Sequence, residues 1–127
     1  DPSGTPINKK ITAEDVFNNV PTWLGFNSTS QAITGDGSTS SAIEITNPVT
    51  EVNATSAAAP CTLADGANGQ IKTIINVSTS GTNAVTITPS NFRGGTSITL
   101  NAPGETVTLM FKNSNWNIIA GHDFAVA

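Results

Sequence analysis

Between Leu63 and Ala120 apolar residues recur at every second position in short runs, and Gly, Pro or Asn cuts each run from the next. A repeat of two predicts β-strands rather than helices. In the first run Ile71, Thr73, Ile75 and Val77 share one face while Lys72, Ile74, Asn76 and Ser78 share the other, which predicts a largely buried strand. Ser80 to Asn83 predicts a turn, after which Val85 and Ile87 share a face until Pro89 removes a ladder donor and stops the pairing. Gly94 and Gly95 suit a tight reversal before a short strand from Ser97 to Leu100, because glycine takes positive φ without steric cost. Pro103 beside Gly104 signals a type II turn, and Thr106 to Lys112 resumes with Val107, Leu109 and Phe111 on one face. Asn113, Ser114 and Asn115 close that strand. Trp116 to Ile119 forms the last one, its indole covering the end of the core with the ring N–H directed to a partner or to water.

The first forty residues follow a different pattern. Thr12 stands as a helix N-cap with Asp15 three positions later, and Val16, Phe17 and Val20 follow at helical spacing. A helix from about Ala13 to Asn19 is predicted, with Ile11 and Val16 as a hydrophobic staple and Pro21 as the stop. It is too short to be stable alone, since isolated helices need about 12 to 15 residues. It must therefore dock. The stretch Val20 to Phe26 concentrates Trp23, Leu24 and Phe26 without a clean period, as either a cap on the β core or an anchor for a partner. Ser28 to Ser41 is a Ser/Thr/Gly-rich connector with one short strand around Ala32 and Ile33. The chain thus divides into an arm over 1–41 and a β-domain over 42–127.

Composition narrows the chemistry. A chain of 127 residues supports one domain with a modest core. Only 11% of residues are charged, so Thr, Ser, Asn and Gly fill a neutral surface. The net charge of −4 and five scattered Lys and Arg argue against nucleic-acid binding, which needs clustered cations. Lys9 and Lys10 are the only adjacent basic pair, read as solvated or as a contact to an acidic surface. No apolar run approaches the roughly 18 to 20 residues that span a bilayer, so a soluble protein without membrane partners is expected. Asp1-Pro2 is not followed by a basic and then an apolar stretch, so no signal peptide is visible in the sequence, whether one was removed or never existed. The single cysteine, Cys61, reads as a small buried apolar residue.

Catalytic groups are sparse. His122 is the only histidine, with Asp123 beside it in a polar tail, so Cys/His zinc arrays are excluded by count. No nucleophile elbow accompanies the many serines. Glu44, Glu51, Asp65, Glu105 and Asp123 offer no spacing that pairs two carboxylates in a groove. Asp65 suits a turn, and residues 65–69 lack the ligand spacing of a calcium loop. No cofactor, no metal and no enzymatic activity are expected. The triplets at Asn27, Asn53 and Asn76 match a glycosylation acceptor, although Asn76 inside a strand would be a poor one.

The order of motifs is itself informative. Leu-Ala-Asp-Gly at 63–66, Gly-Gln-Ile-Lys-Thr-Ile at 69–74, Val-Thr-Ile-Thr-Pro-Ser-Asn at 85–91, Gly-Gly-Thr-Ser-Ile-Thr-Leu at 94–100, Val-Thr-Leu-Met-Phe at 107–111 and Trp-Asn-Ile-Ile-Ala-Gly at 116–121 resemble a β-domain of virion surface proteins of marine tailed phages. Asn-Pro-Val-Thr at 47–50 and Ala-Ala-Ala at 57–59 extend the resemblance from about Ala42 to the C-terminus. It implies a building block, similar to capsid decoration proteins, head fibres and tail-fibre segments that commonly trimerise. The expected fold is an all-β, antiparallel β-sandwich or barrel-like domain with a short N-terminal arm and helix, assembled as a homotrimer. The expected role is a capsid decoration (cement) or head-fibre subunit on the virion surface that binds the major capsid protein shell. Ile11, Val16, Phe17, Trp23, Leu24 and Phe26 would make the attachment. The alternative is a tail-associated receptor-binding module that recognises host glycans through loops around Asn91-Phe92-Arg93 and Asn113 to Trp116. A polysaccharide hydrolase ranks last for want of an acid and a base.

Overall fold

The computed structural model describes residues 30–127 of the chain. The helix expected at Ala13–Asn19 lies outside the described residues, as does the Val20–Phe26 stretch. Ten strands follow in order: β1 (Gln31–Gly35), β2 (Ser41–Ile43), β3 (Val49–Ala54), β4 (Ala58–Leu63), β5 (Ile71–Asn76), β6 (Ala84–Pro89), β7 (Ile98–Leu100), β8 (Thr106–Lys112), β9 (Asn115–His122) and β10 (Ala125–Val126). They form two five-stranded sheets, β1-β3-β5-β8-β9 and β10-β7-β6-β4-β2, packed face to face and not closed into a barrel. Among the described residues there is no helix.

The sheets are mixed, which corrects the expectation of antiparallel pairing. β1 to β6 alternate between sheets, so each strand pairs in parallel with the strand two places on: β1 with β3, β3 with β5, β2 with β4 and β4 with β6. The chain winds as a flattened coil in which the opposite sheet supplies each crossover that a parallel pair requires. Antiparallel pairing begins only after β6, at β6 with β7, β5 with β8, β8 with β9 and β7 with β10. β1 is the short strand expected around Ala32 and Ile33 within the connector, and it carries Ile33 into the core.

Inward-facing positions of both sheets build that core. Val52, Ile74, Val107 and Leu109 from the first sheet meet Leu63, Val85, Ile87, Ile98 and Leu100 from the second, all fully buried. Trp116 closes one end with no exposed surface, its ring edge-on to Phe111 at 5.2 Å and 69°. Its indole N–H donates to the Ala64 carbonyl at 2.9 Å, the partner that a buried Trp requires. Gly66 lies against this ring, where a Cβ would come within 3.0 Å of Trp116 Cζ2. Cys61 is buried as expected, and burial pushes its thiol up to about 11.

The turns follow the local chemistry. The Ala102-Pro103-Gly104-Glu105 turn has Gly104 at φ 88°, as a type II turn demands. Asn113 and Ser114 both take positive φ, giving the two-residue hairpin that matches the twist of β8 and β9. Of the glycine pair, Gly94 alone has positive φ. Gly95 is needed for space instead, since a Cβ would meet the Ala127 carbonyl at 2.5 Å. β9 runs on to His122, beyond the expected end at Ile119, and β10 follows it.

Strand β5 turns the opposite way to simple apolar counting. Lys72, Ile74 and Asn76 are fully buried, while Ile71 and Val77 are 38% and 41% exposed. The polar members are inside because each finds partners there. Lys72 Nζ donates to the carbonyls of Glu44 at 2.8 Å and Asn47 at 2.6 Å. Asn76 donates to the carbonyls of Asn83 and Leu100 and accepts from the Ser78 backbone N–H and hydroxyl. Asn83 in turn donates to the Ala54 carbonyl at 2.7 Å, so this network ties β3 and β5 to the second sheet. Burial lowers the Lys72 ammonium from 10.5 to about 8, an effect the nearby Glu44 charge partly offsets.

Candidate functional site

Two surfaces of the first sheet stand out. The first is the outer face of β5 and its neighbours. Cross-strand register sets Ile71 beside Met110 and Ile75 between Glu51 and Thr106, with Val77 continuing the row. Thr73 and Thr108 meet at 3.1 Å between their hydroxyls. Ile119 on β9 is 49% exposed, so exposed apolar side chains alternate on this sheet with Glu51, Thr73, Thr106 and Thr108. The outer face of the second sheet contrasts with it. Ala42, Ala58, Pro60, Thr62, Ala84, Thr86, Thr88 and Thr99 make a flat layer of small uncharged side chains.

The second surface is a cleft of about 370 Å3 at the β8–β9 hairpin, lined by Arg93, Met110, Lys112, Asn113, Asn117 and Ile119. It exists because Asn91-Phe92-Arg93 runs beside β9. Trp116 N–H donates to the Asn91 carbonyl at 2.9 Å and Arg93 N–H to the Trp116 carbonyl at 3.0 Å. Phe92 therefore pairs with Trp116 and packs on the core, while alternation places Arg93 with Asn117 on the opposite side. Asp65 fixes this loop by accepting from Asn91 Nδ2 at 2.7 Å, a longer-range role than the local turn expected of it. Asn117 Nδ2 donates to the carbonyls of Met110, Lys112 and Asn115, which holds its amide in one orientation.

The two loops singled out for glycan contact are thus brought together. Ile11, Val16, Phe17, Trp23, Leu24 and Phe26 lie outside the described residues. Met110, Lys112, Asn117 and Ile119 escaped the sequence reading of the site. Their signal was the outward period of β8, which sets Met110 and Lys112 on one face opposite Leu109 and Phe111. His122 and Asp123 form an exposed pair at 3.3 Å at the end of β9. Among the described residues no three His, Cys, Asp or Glu side chains gather at one place.

No protein-family model matches this chain, and no curated protein matches it.

Proposed function

We propose that this protein is a structural component of a tailed-phage virion, a capsid decoration or head-fibre subunit that works as a homotrimer on the outer shell. The observation that carries this reading is the outer face of the first sheet, where Ile71, Val77 and Ile119 stand exposed in a domain of few charges. A face of this kind on a surface with little like-charge repulsion is suited to association. Covering it would contribute about 25 cal/mol for each Å2 of apolar area removed from water. The arm supplies the second contact. Ile11, Val16, Phe17, Trp23, Leu24 and Phe26 would seat each subunit on the major capsid protein, and three arms on one rigid trimer bind a symmetric site far better than one.

The test is the solution mass of the protein and its co-sedimentation with empty capsids, alongside a Trp23→Ser/Phe26→Ser variant. A trimer that binds shells, and whose arm variant stays trimeric but does not bind, supports the reading. A monomer that stays in the supernatant while the shells pellet overturns it.

A further inference from the structure

The described part of the chain contains three basic side chains, Lys72, Arg93 and Lys112. Lys72 is buried and committed to two backbone carbonyls. The remaining two, both exposed, line the same cleft. Neither forms an ion pair with a carboxylate among the described residues, where the one pair present is His122 with Asp123. None of the six acidic side chains of residues 30–127 lines the cleft, so an anion that enters it meets two cations and no carboxylate. The rest of the lining also has a recognisable character. Met110 and Ile119 give it an apolar part, and Asn113 and Asn117 a neutral polar one. Since the Asn117 amide nitrogen is held by three carbonyls, its Oδ1 is left as an acceptor without a donor among the described residues.

From this arrangement we infer that the cleft binds a carboxylated sugar residue of an acidic polysaccharide. Arg93 and Lys112 hold the carboxylate, Arg93 as a planar fork and Lys112 as a point charge. Met110 and Ile119 take the apolar C–H face of the ring, and Asn117 Oδ1 accepts from a hydroxyl. Nucleic acid fits less well, since two cations neutralise too few phosphates to hold a strand. The volume, near the lower end of ligand pockets, suits one or two sugar units. A single site of this kind is weak and gains from repetition in an oligomer. This inference goes beyond the architectural role and does not depend on it.

The experiment uses the full chain, labelled with 15N and titrated with a galacturonic acid tetramer. Its methyl ester keeps the sugar and removes the charge, and a glutamate tetramer keeps the charge and removes the sugar. The acid tetramer is expected to shift the Arg93 side-chain and Asn117 amide signals, with both comparison ligands about tenfold weaker. Arg93→Gln and Lys112→Gln should each weaken binding about threefold to tenfold while leaving the thermal midpoint in place, since both side chains are exposed. Equal binding of the ester or of the glutamate tetramer overturns the inference. So do shifts confined to another face, no shift at all, or variants that bind as well as the parent chain. Co-sedimentation with capsids reads the arm, so either result here leaves the decoration role to be judged separately.

Discussion

The two faces of β5 differ in a way their composition does not suggest. The inward face carries a lysine and an asparagine around Ile74, and the outward face carries Ile71 and Ile75, with Val77 just beyond the strand. Inside, each side chain of the pair has been given backbone carbonyls that arrive from other parts of the chain, which offsets the cost of burial. Outside, Ile71 and Val77 meet solvent in the single subunit. Hydrophobicity thus says which residues gain from being covered. Where the cover comes from is decided by the rest of the fold.

That comparison can be broken most sharply at its inner face. Ile74→Ala should lose about 2 to 5 kcal/mol in urea unfolding, because a fully buried side chain leaves a cavity. Ile75→Ala, one residue away on the outer face, should stay within about 1 kcal/mol. Equal losses would mean the two faces are not distinct in the folded chain. Asn76→Ala comes next, at about 2 to 3 kcal/mol, since it strands the carbonyls of Asn83 and Leu100. A neutral effect there would show that the network contributes nothing.

Smaller and more diagnostic is the response to pH. Lys72 falls from 10.5 to about 8 on folding, so between those values the unfolded chain binds the extra proton and stability rises with pH. Cys61 rises from 9.0 to about 11, so its contribution is complete below 9.0 and is lost as pH climbs through 11. The urea midpoint should therefore increase from pH 8 to 9 and then flatten as the two effects oppose. Lys72→Met should abolish the increase, and Cys61→Ala should extend it upward. The smallest effect on the subunit is expected from Ile71→Thr with Ile75→Thr, within about 0.5 kcal/mol of the parent. In the proposed trimer the same double variant should move the sedimentation coefficient toward the monomer, and a coefficient unchanged from the parent chain would remove this face from any interface.

Much of the fold was legible in residues that act locally. Pro103-Gly104 set its turn, Asn113-Ser114 set the hairpin, and Trp116 was placed at the end of the core with a bonded N–H. The parallel pairing was not legible, because alternation assigns faces and leaves partners open. Nor was the direction of β5, where Lys72 and Asn76 depend on carbonyls 25 to 28 and 7 to 24 residues away along the chain. For the site, both loops of the cleft were identified as loops. Their meeting depends on the Asn91–Trp116 and Arg93–Trp116 backbone bonds, which only the assembled sheet reveals.

The coil formed by β1 to β6 also bears on how such a molecule could change in length. Because successive strands alternate between sheets, one additional winding would lengthen both sheets by a strand at once, without disturbing the hairpins at the other end. β1 and β2 are the terminal strands of their two sheets and come first among the strands of the described residues. Growth at that end would need no new kind of contact. The architecture is therefore modular along one axis, and its first winding offers a ready place for duplication or for a copied segment from another chain to be grafted.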